Sequence, residues 1–100
     1  MAYTVPTLEP AELRAGDTWA WRREDLGDYP ASTWTLTYAF RCATAYFDVV
    51  ATADGEAFAI SVAKATTAGK TAGSYDWTAF VSDGSERHEI GRGVLEVLPD

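Results

Sequence analysis

The stretch Thr33-Trp34-Thr35-Leu36-Thr37-Tyr38-Ala39-Phe40-Arg41 decides the fold. In an extended chain Trp34, Leu36, Tyr38 and Phe40 share one side, while the threonines, Ala39 and Arg41 share the other. Alternation of this kind, carried by β-branched and aromatic residues, marks a strand with one buried face. Trp19 and Trp21 alternate with Thr18, Ala20 and Arg22 in the same way. Helical periodicity has no comparable run.

Downstream, residues 46–51 read as the next strand and Asp54-Gly55 as a tight turn. Phe58, Ile60 and Val62 then supply the inward face of the returning strand. A second hairpin runs over residues 73–81, turns at Ser82-Asp83-Gly84-Ser85 and returns over residues 87–98. Gly91-Arg92-Gly93 inside the last segment predicts a bulge or bend. Residues 1–16 read as an irregular lead-in, with room for one helical turn between Pro6 and Gly16. Residues 63–73, rich in Ala, Thr and Gly, read as a loop crossing between sheets, although their composition also allows a short helix. About seven short strands with turn signals between them predict a two-sheet β-sandwich in a single domain over residues 1–100. A closed barrel is the rival.

The composition fits one hydrophobic core. The 100 residues are 47% hydrophobic, 13% aromatic and 23% charged, too apolar for a disordered chain. The net charge of -7, from 15 acidic against 8 basic side chains, opposes direct binding to nucleic acid or to an anionic membrane surface. Cys42 is the sole cysteine, so no intrachain disulfide can form. No signal peptide is visible, and no apolar run approaches the roughly 20 residues needed to span a bilayer.

Candidates for chemistry are few, and the expectation is a protein that is not an enzyme. His88, the only histidine, stands among Glu86, Arg87 and Glu89 and reads as an exposed residue without a catalytic partner. Cys42 reads as a small strand-end residue, and no serine has the surroundings of a triad. The acidic groups around Glu9, Glu12, Glu24, Asp25 and Asp28 lack the spacing of a calcium loop, so no metal and no cofactor are expected. Trp34 and Trp77 are expected in the core beside their apolar neighbours, with at least one of Trp19 and Trp21 at its edge. Tyr46, Asp48 and Phe80 point the opposite way and are the predicted protein-interface residues, because exposed aromatics are favoured at contacts.

Two resemblances add to this reading. Phe58-x-Ile60-x-Val62 followed by Thr71-x-Gly73-x-Tyr75-x-Trp77 resembles the region joining strands E and F of immunoglobulin-like domains. There an aspartate-x-glycine-x-tyrosine-x-cysteine segment opens strand F, and the tyrosine forms a corner with upstream backbone. Gly73 and Tyr75 match, Thr71 stands in the aspartate's place and Trp77 in the cysteine's. The resemblance implies an all-β, immunoglobulin-like antiparallel β-sandwich, disulfide-free, with Trp19, Trp34, Gly73, Tyr75 and Trp77 as fold-determining residues.

The segments Ala15-Gly16-Asp17-Thr18-Trp19-x-Trp21, Asp28-Tyr29-Pro30-Ala31, Thr66-Thr67 and Gly93-x-Leu95-x-Val97 resemble small β-sandwich proteins of tailed bacteriophages. The layout is similar to the N-terminal domain of phage baseplate upper proteins. This implies a virion structural protein of the neck, tail, baseplate or capsid surface, assembled in the host cytoplasm. Its implied partners are other phage structural proteins and further copies of itself. The alternative is a carbohydrate-binding or adhesin-like module presenting tryptophan and tyrosine to sugars.

Overall fold

Strand β3 (Thr35–Arg41) buries Leu36, Tyr38 and Phe40 and turns Thr35, Thr37, Ala39 and Arg41 away from the core, as the alternation requires. A computed structural model of the chain describes residues 9–99. The other elements are β1 (Glu12–Arg14), β2 (Trp19–Arg23), β4 (Tyr46–Val50), β5 (Thr52–Asp54), β6 (Ala57–Val62), the one-turn helix α1 (Lys64–Thr67), β7 (Gly73–Ser82) and β8 (Arg87–Leu98). They form a five-stranded sheet in the order β1-β8-β7-β3-β4 and a three-stranded sheet in the order β2-β6-β5. The fold is an all-β, immunoglobulin-like sandwich.

Several details differ from the sequence expectation. The described residues hold eight strands rather than about seven, and the five-stranded sheet is not wholly antiparallel. Part of the expected lead-in is β1, which runs parallel to β8 with Leu13 opposite Val97. Three residues of mixed exposure carry too little alternation to announce such a strand. The first eight residues of that lead-in lie outside the described residues. The chain also changes sheet after β4, so β5 is a separate strand that pairs only with β6. The hairpin there turns through Gly55-Glu56, with Gly55 at φ +65° and Asp54 still paired to Ala57.

The core lies between the sheets. Trp19 and Trp21 from β2 are fully buried against Tyr38, Phe58, Ile60, Tyr75, Leu95 and Val97. This reverses the expected ranking of the tryptophans. Trp34 precedes β3 and, like Trp77, is only partly buried. The indole of Trp19 donates to the Arg14 carbonyl at 2.8 Å. Trp21 Nε1 has no hydrogen-bond partner among the described residues, and the ring borders a void of about 10 Å³, at the lower limit for one water.

Two side chains anchor the connection between sheets through hydrogen bonds. Tyr75 Oη donates to the Thr71 carbonyl at 2.7 Å, forming a tyrosine corner at the start of β7. Thr67, buried in α1, donates from Oγ1 to the Asp17 carbonyl at 2.6 Å and accepts from the Gly16 amide at 3.0 Å. The crossing is therefore tied to the β1–β2 turn. The Gly91 to Gly93 segment is indeed irregular: the β7–β8 register shifts between Ala79 and Phe80, leaving Ile90 as the extra residue.

Candidate protein-interaction face

The outward residues of the five-stranded sheet include three cross-strand rows over β4, β3, β7 and β8. Pairing registers place Tyr46, Arg41, Asp76 and Val94 in one row across β4, β3, β7 and β8. The next row is Asp48, Ala39, Thr78 and Arg92, and the third is Val50, Thr37, Phe80 and Glu89. Tyr46, Asp48 and Phe80, expected from sequence to point outward at a protein contact, are placed one in each of these rows.

Large apolar groups are exposed there. Tyr46 is 76% exposed, Val50 61% and Val94 57%, which are the large hydrophobic residues most open to solvent among those described. Phe80 is half-buried beneath the Arg87 guanidinium, whose central carbon lies 3.8 Å from the ring centroid. Arg41 stacks over Tyr46 at 5.3 Å and donates to Asp48 at 2.9 Å. Arg92 donates to Glu89 at 2.9 Å, while Asp76 has no ion-pair partner among the described residues. Small residues (Thr37, Ala39 and Thr78) form the centre, with apolar groups and alternating charges around them.

Val50 and Val94 went unassigned in the sequence reading. Val50 continues the Tyr46, Asp48 alternation and could have been found by counting two residues further. Val94 was hidden by the bulge, which moves the outward set from Arg87 and Glu89 to Arg92 and Val94.

Other polar groups play structural parts. Arg23, buried at the end of β2, pairs with Glu9 and makes a bidentate contact to Asp25 at 2.9 and 3.1 Å. Glu9 also accepts from Tyr38 Oη at 2.7 Å. Burial and then the bond to Glu9 push the Tyr38 phenol well above its usual range. The Arg23 hydrogen bonds lower the Asp25 carboxyl, and the amides of Glu86 and Ser85 lower that of Asp83 in the β7–β8 turn. Cys42, partly exposed, has its thiol lowered chiefly by the Thr44 amide. His88 is exposed and touches Glu86 at 3.2 Å, yet it is not isolated. Its ring lies 5.9 Å from Tyr29 and 5.8 Å from Trp34, closing a small aromatic group. Among the described residues no three His, Cys, Asp or Glu side chains converge as a metal site, and no helix is long and apolar enough to cross a membrane.

No family model matches the chain, and no curated protein is similar to it in sequence. Among solved structures, a "putative glycoside hydrolase" from Bacteroides vulgatus superimposes with a TM-score of 0.63 at 17% identity. The match covers 91% of this chain, which spans only 17% of the other. At that identity the likeness speaks for the sandwich fold alone.

Proposed function

We propose that this chain is a phage virion structural protein that acts through protein–protein contacts at the outer face of its five-stranded sheet. The observation that carries this reading is the exposure of Tyr46, Val50 and Val94 together on the outer face of one sheet. Apolar and aromatic groups with charged residues around them are what a contact surface needs, whereas isolated exposed apolar residues carry no such meaning. The resemblance to small phage sandwich proteins supplies the setting. Its Gly16-Asp17-Thr18 and Thr66-Thr67 segments meet through the Thr67 hydroxyl, so the matched residues cooperate in one structural joint.

The test is incorporation into particles. A phage carrying this gene is complemented with wild-type chain or with Val94→Asp, and purified virions are analysed by mass spectrometry. The expected result is wild-type chain in the particles and loss of the variant, although its melting temperature is nearly unchanged. Absence of the wild-type chain from virions, or normal incorporation of Val94→Asp, refutes the proposal.

A sugar-binding module is the second reading, favoured by the partly exposed group of Trp34, Tyr29 and His88. On that reading, oligosaccharides perturb tryptophan fluorescence in the wild type but not in Trp34→Ala. A flat titration across a broad glycan panel removes it.

A further inference from the structure

We infer that the partner of the outer face is a second copy of this chain, packed face to face about a two-fold axis that runs along the strands between β3 and β7. The inference rests on the contact-surface reading above and names the occupant of that surface. Its support is a self-complementarity written into the pairing registers.

A two-fold axis between β3 and β7 lays β3 of one copy over β7 of the other and β4 over β8. Each row is then matched with its own reverse. The central row reads Arg92, Thr78, Ala39, Asp48 across the sheet, so Arg92 meets the partner's Asp48 and Thr78 meets the partner's Ala39. The next row reads Val94, Asp76, Arg41, Tyr46 and brings Val94 onto the partner's Tyr46 and Asp76 onto the partner's Arg41. Every charge in these two rows meets an opposite charge, and both large apolar groups meet each other. Asp76, without an ion pair among the described residues, gains one.

The third row sets Phe80, with the Arg87 guanidinium over its ring, against the partner's Thr37, and Glu89 over the partner's Val50. Glu89 is the one mismatch. It lies at the rim and keeps its own Arg92. Face-packed sheets rotate by about 30° relative to one another, which displaces the outer rows more than the central one. The Thr78–Ala39 contact is therefore the one least disturbed by twist, and the two ion pairs lie about equally far from it.

Four strands at about 4.8 Å spacing and three rows about 7 Å apart give roughly 400 Å² per copy. That is about half the standard interface, so the dimer belongs to the weak, transient class, with a dissociation constant of about micromolar or above. Weak pair contacts suit an assembly in which many are made at once.

The experiment is sedimentation velocity of the full chain from about 10 μM to about 1 mM, at low and high salt. The wild type is expected to dimerise reversibly and to weaken as salt rises. Asp48→Arg creates two symmetric clashes and weakens the dimer by at least about tenfold, and Arg92→Asp does the same. The double variant Asp48→Arg, Arg92→Asp restores association. Repaired monomer pairing cannot explain that rescue, because within one chain the swap sets like charges against Arg41 and Glu89.

A wild type that stays monomeric to the highest concentration overturns the inference, as does a dimer indifferent to the single reversals or not rescued by the double one. If, in that case, Val94→Asp still removes the chain from virions, the contact-surface reading stands and the partner is a different protein. If Val94→Asp is incorporated normally, that reading fails as well.

Discussion

Gly93→Ala and Gly91→Ala are the same substitution two residues apart in β8, and the structure assigns them opposite signs. Neither glycine has a positive φ, so alanine fits both backbones. By itself it stabilises by about 0.4–1 kcal/mol, by restricting the unfolded chain. At Gly91 the added Cβ lies 3.7 Å from Trp77 Cζ3, an ordinary contact, and the gain is kept. At Gly93 the Cβ meets Trp77 Cε2 and Cζ2 at 2.9 Å and Nε1 at 3.0 Å. The indole must yield by most of an ångström while it also abuts Tyr38, 5.7 Å away between centroids. Overpacking of this kind costs about 1–3 kcal/mol, which exceeds the backbone gain. With a urea m-value of about 1–2 kcal/mol/M, the two midpoints should separate by about 1 M, Gly93→Ala being the lower. Chemical unfolding followed by circular dichroism reads this directly. Adding Trp77→Leu to Gly93→Ala should remove most of the penalty specific to the alanine. Equal midpoints for the two alanine variants would falsify the placement of Trp77 over Gly93.

Three further outcomes follow from named contacts. Tyr75→Phe, which leaves the Thr71 carbonyl without its 2.7 Å donor, should lower stability by about 1 kcal/mol and the melting temperature by about 4–8 °C; an unmoved midpoint removes the tyrosine corner as a stabilising feature. Glu9→Gln should cost about 1–3 kcal/mol because Arg23 stays buried with one charged partner fewer. Adding Arg23→Met should cost much less than the sum of the two single changes, and strict additivity in the double-mutant cycle refutes the coupling. Stability should also decline at both pH extremes. The raised Tyr38 phenol contributes stability that is present below the unfolded value near 10 and lost as pH rises above it, whereas the lowered Asp25 carboxyl contributes stability present above about pH 4 and lost below. Urea midpoints in Tyr38→Phe that keep the full alkaline decline would assign that limb to another group.

The sandwich was legible because its long strands obey a simple period. Leu36, Tyr38 and Phe40 in β3, and Phe58, Ile60 and Val62 in β6, alternate without interruption. Tyr46, Asp48 and Phe80 could be placed on the outer face by the same count. What escaped the sequence depends on contacts between distant segments. The strand β1 exists because β8 is there to receive it, with Leu13 opposite Val97, and three residues cannot announce such a pairing. Trp34 fits the β3 alternation but lies beyond the paired region, where Tyr29 takes it at 5.0 Å. Thr67 looks like any threonine in a polar crossing until Gly16 and Asp17 arrive at its hydroxyl. The Arg23 cluster depends on Glu9, fourteen residues earlier. Local pattern records which side a residue faces; it does not record who stands opposite.

Asp48 connects the face to the problem of the open edge. Just outside the two ends of β4, Cys42 N–H donates to the Ala45 carbonyl and Ala51 N–H to the Leu36 carbonyl, which fixes the alternation of the β3–β4 pairing. Antiparallel alternation then directs the N–H and C=O groups of Tyr46, Asp48 and Val50 away from the sheet. Such an edge can receive another strand, and β4 has neither lysine nor proline to prevent it. Two copies pairing antiparallel about the centre of β4 would set Asp48 against the partner's Asp48, a like-charge opposition that penalises this register. Face packing about the axis between β3 and β7 instead sets Asp48 against the partner's Arg92. The same carboxylate thus disfavours an edge pairing that extends the sheet and favours a face pairing that closes after two copies. Open edges can be tolerated on a sandwich whose exposed apolar groups lie on a face with its own matching partner.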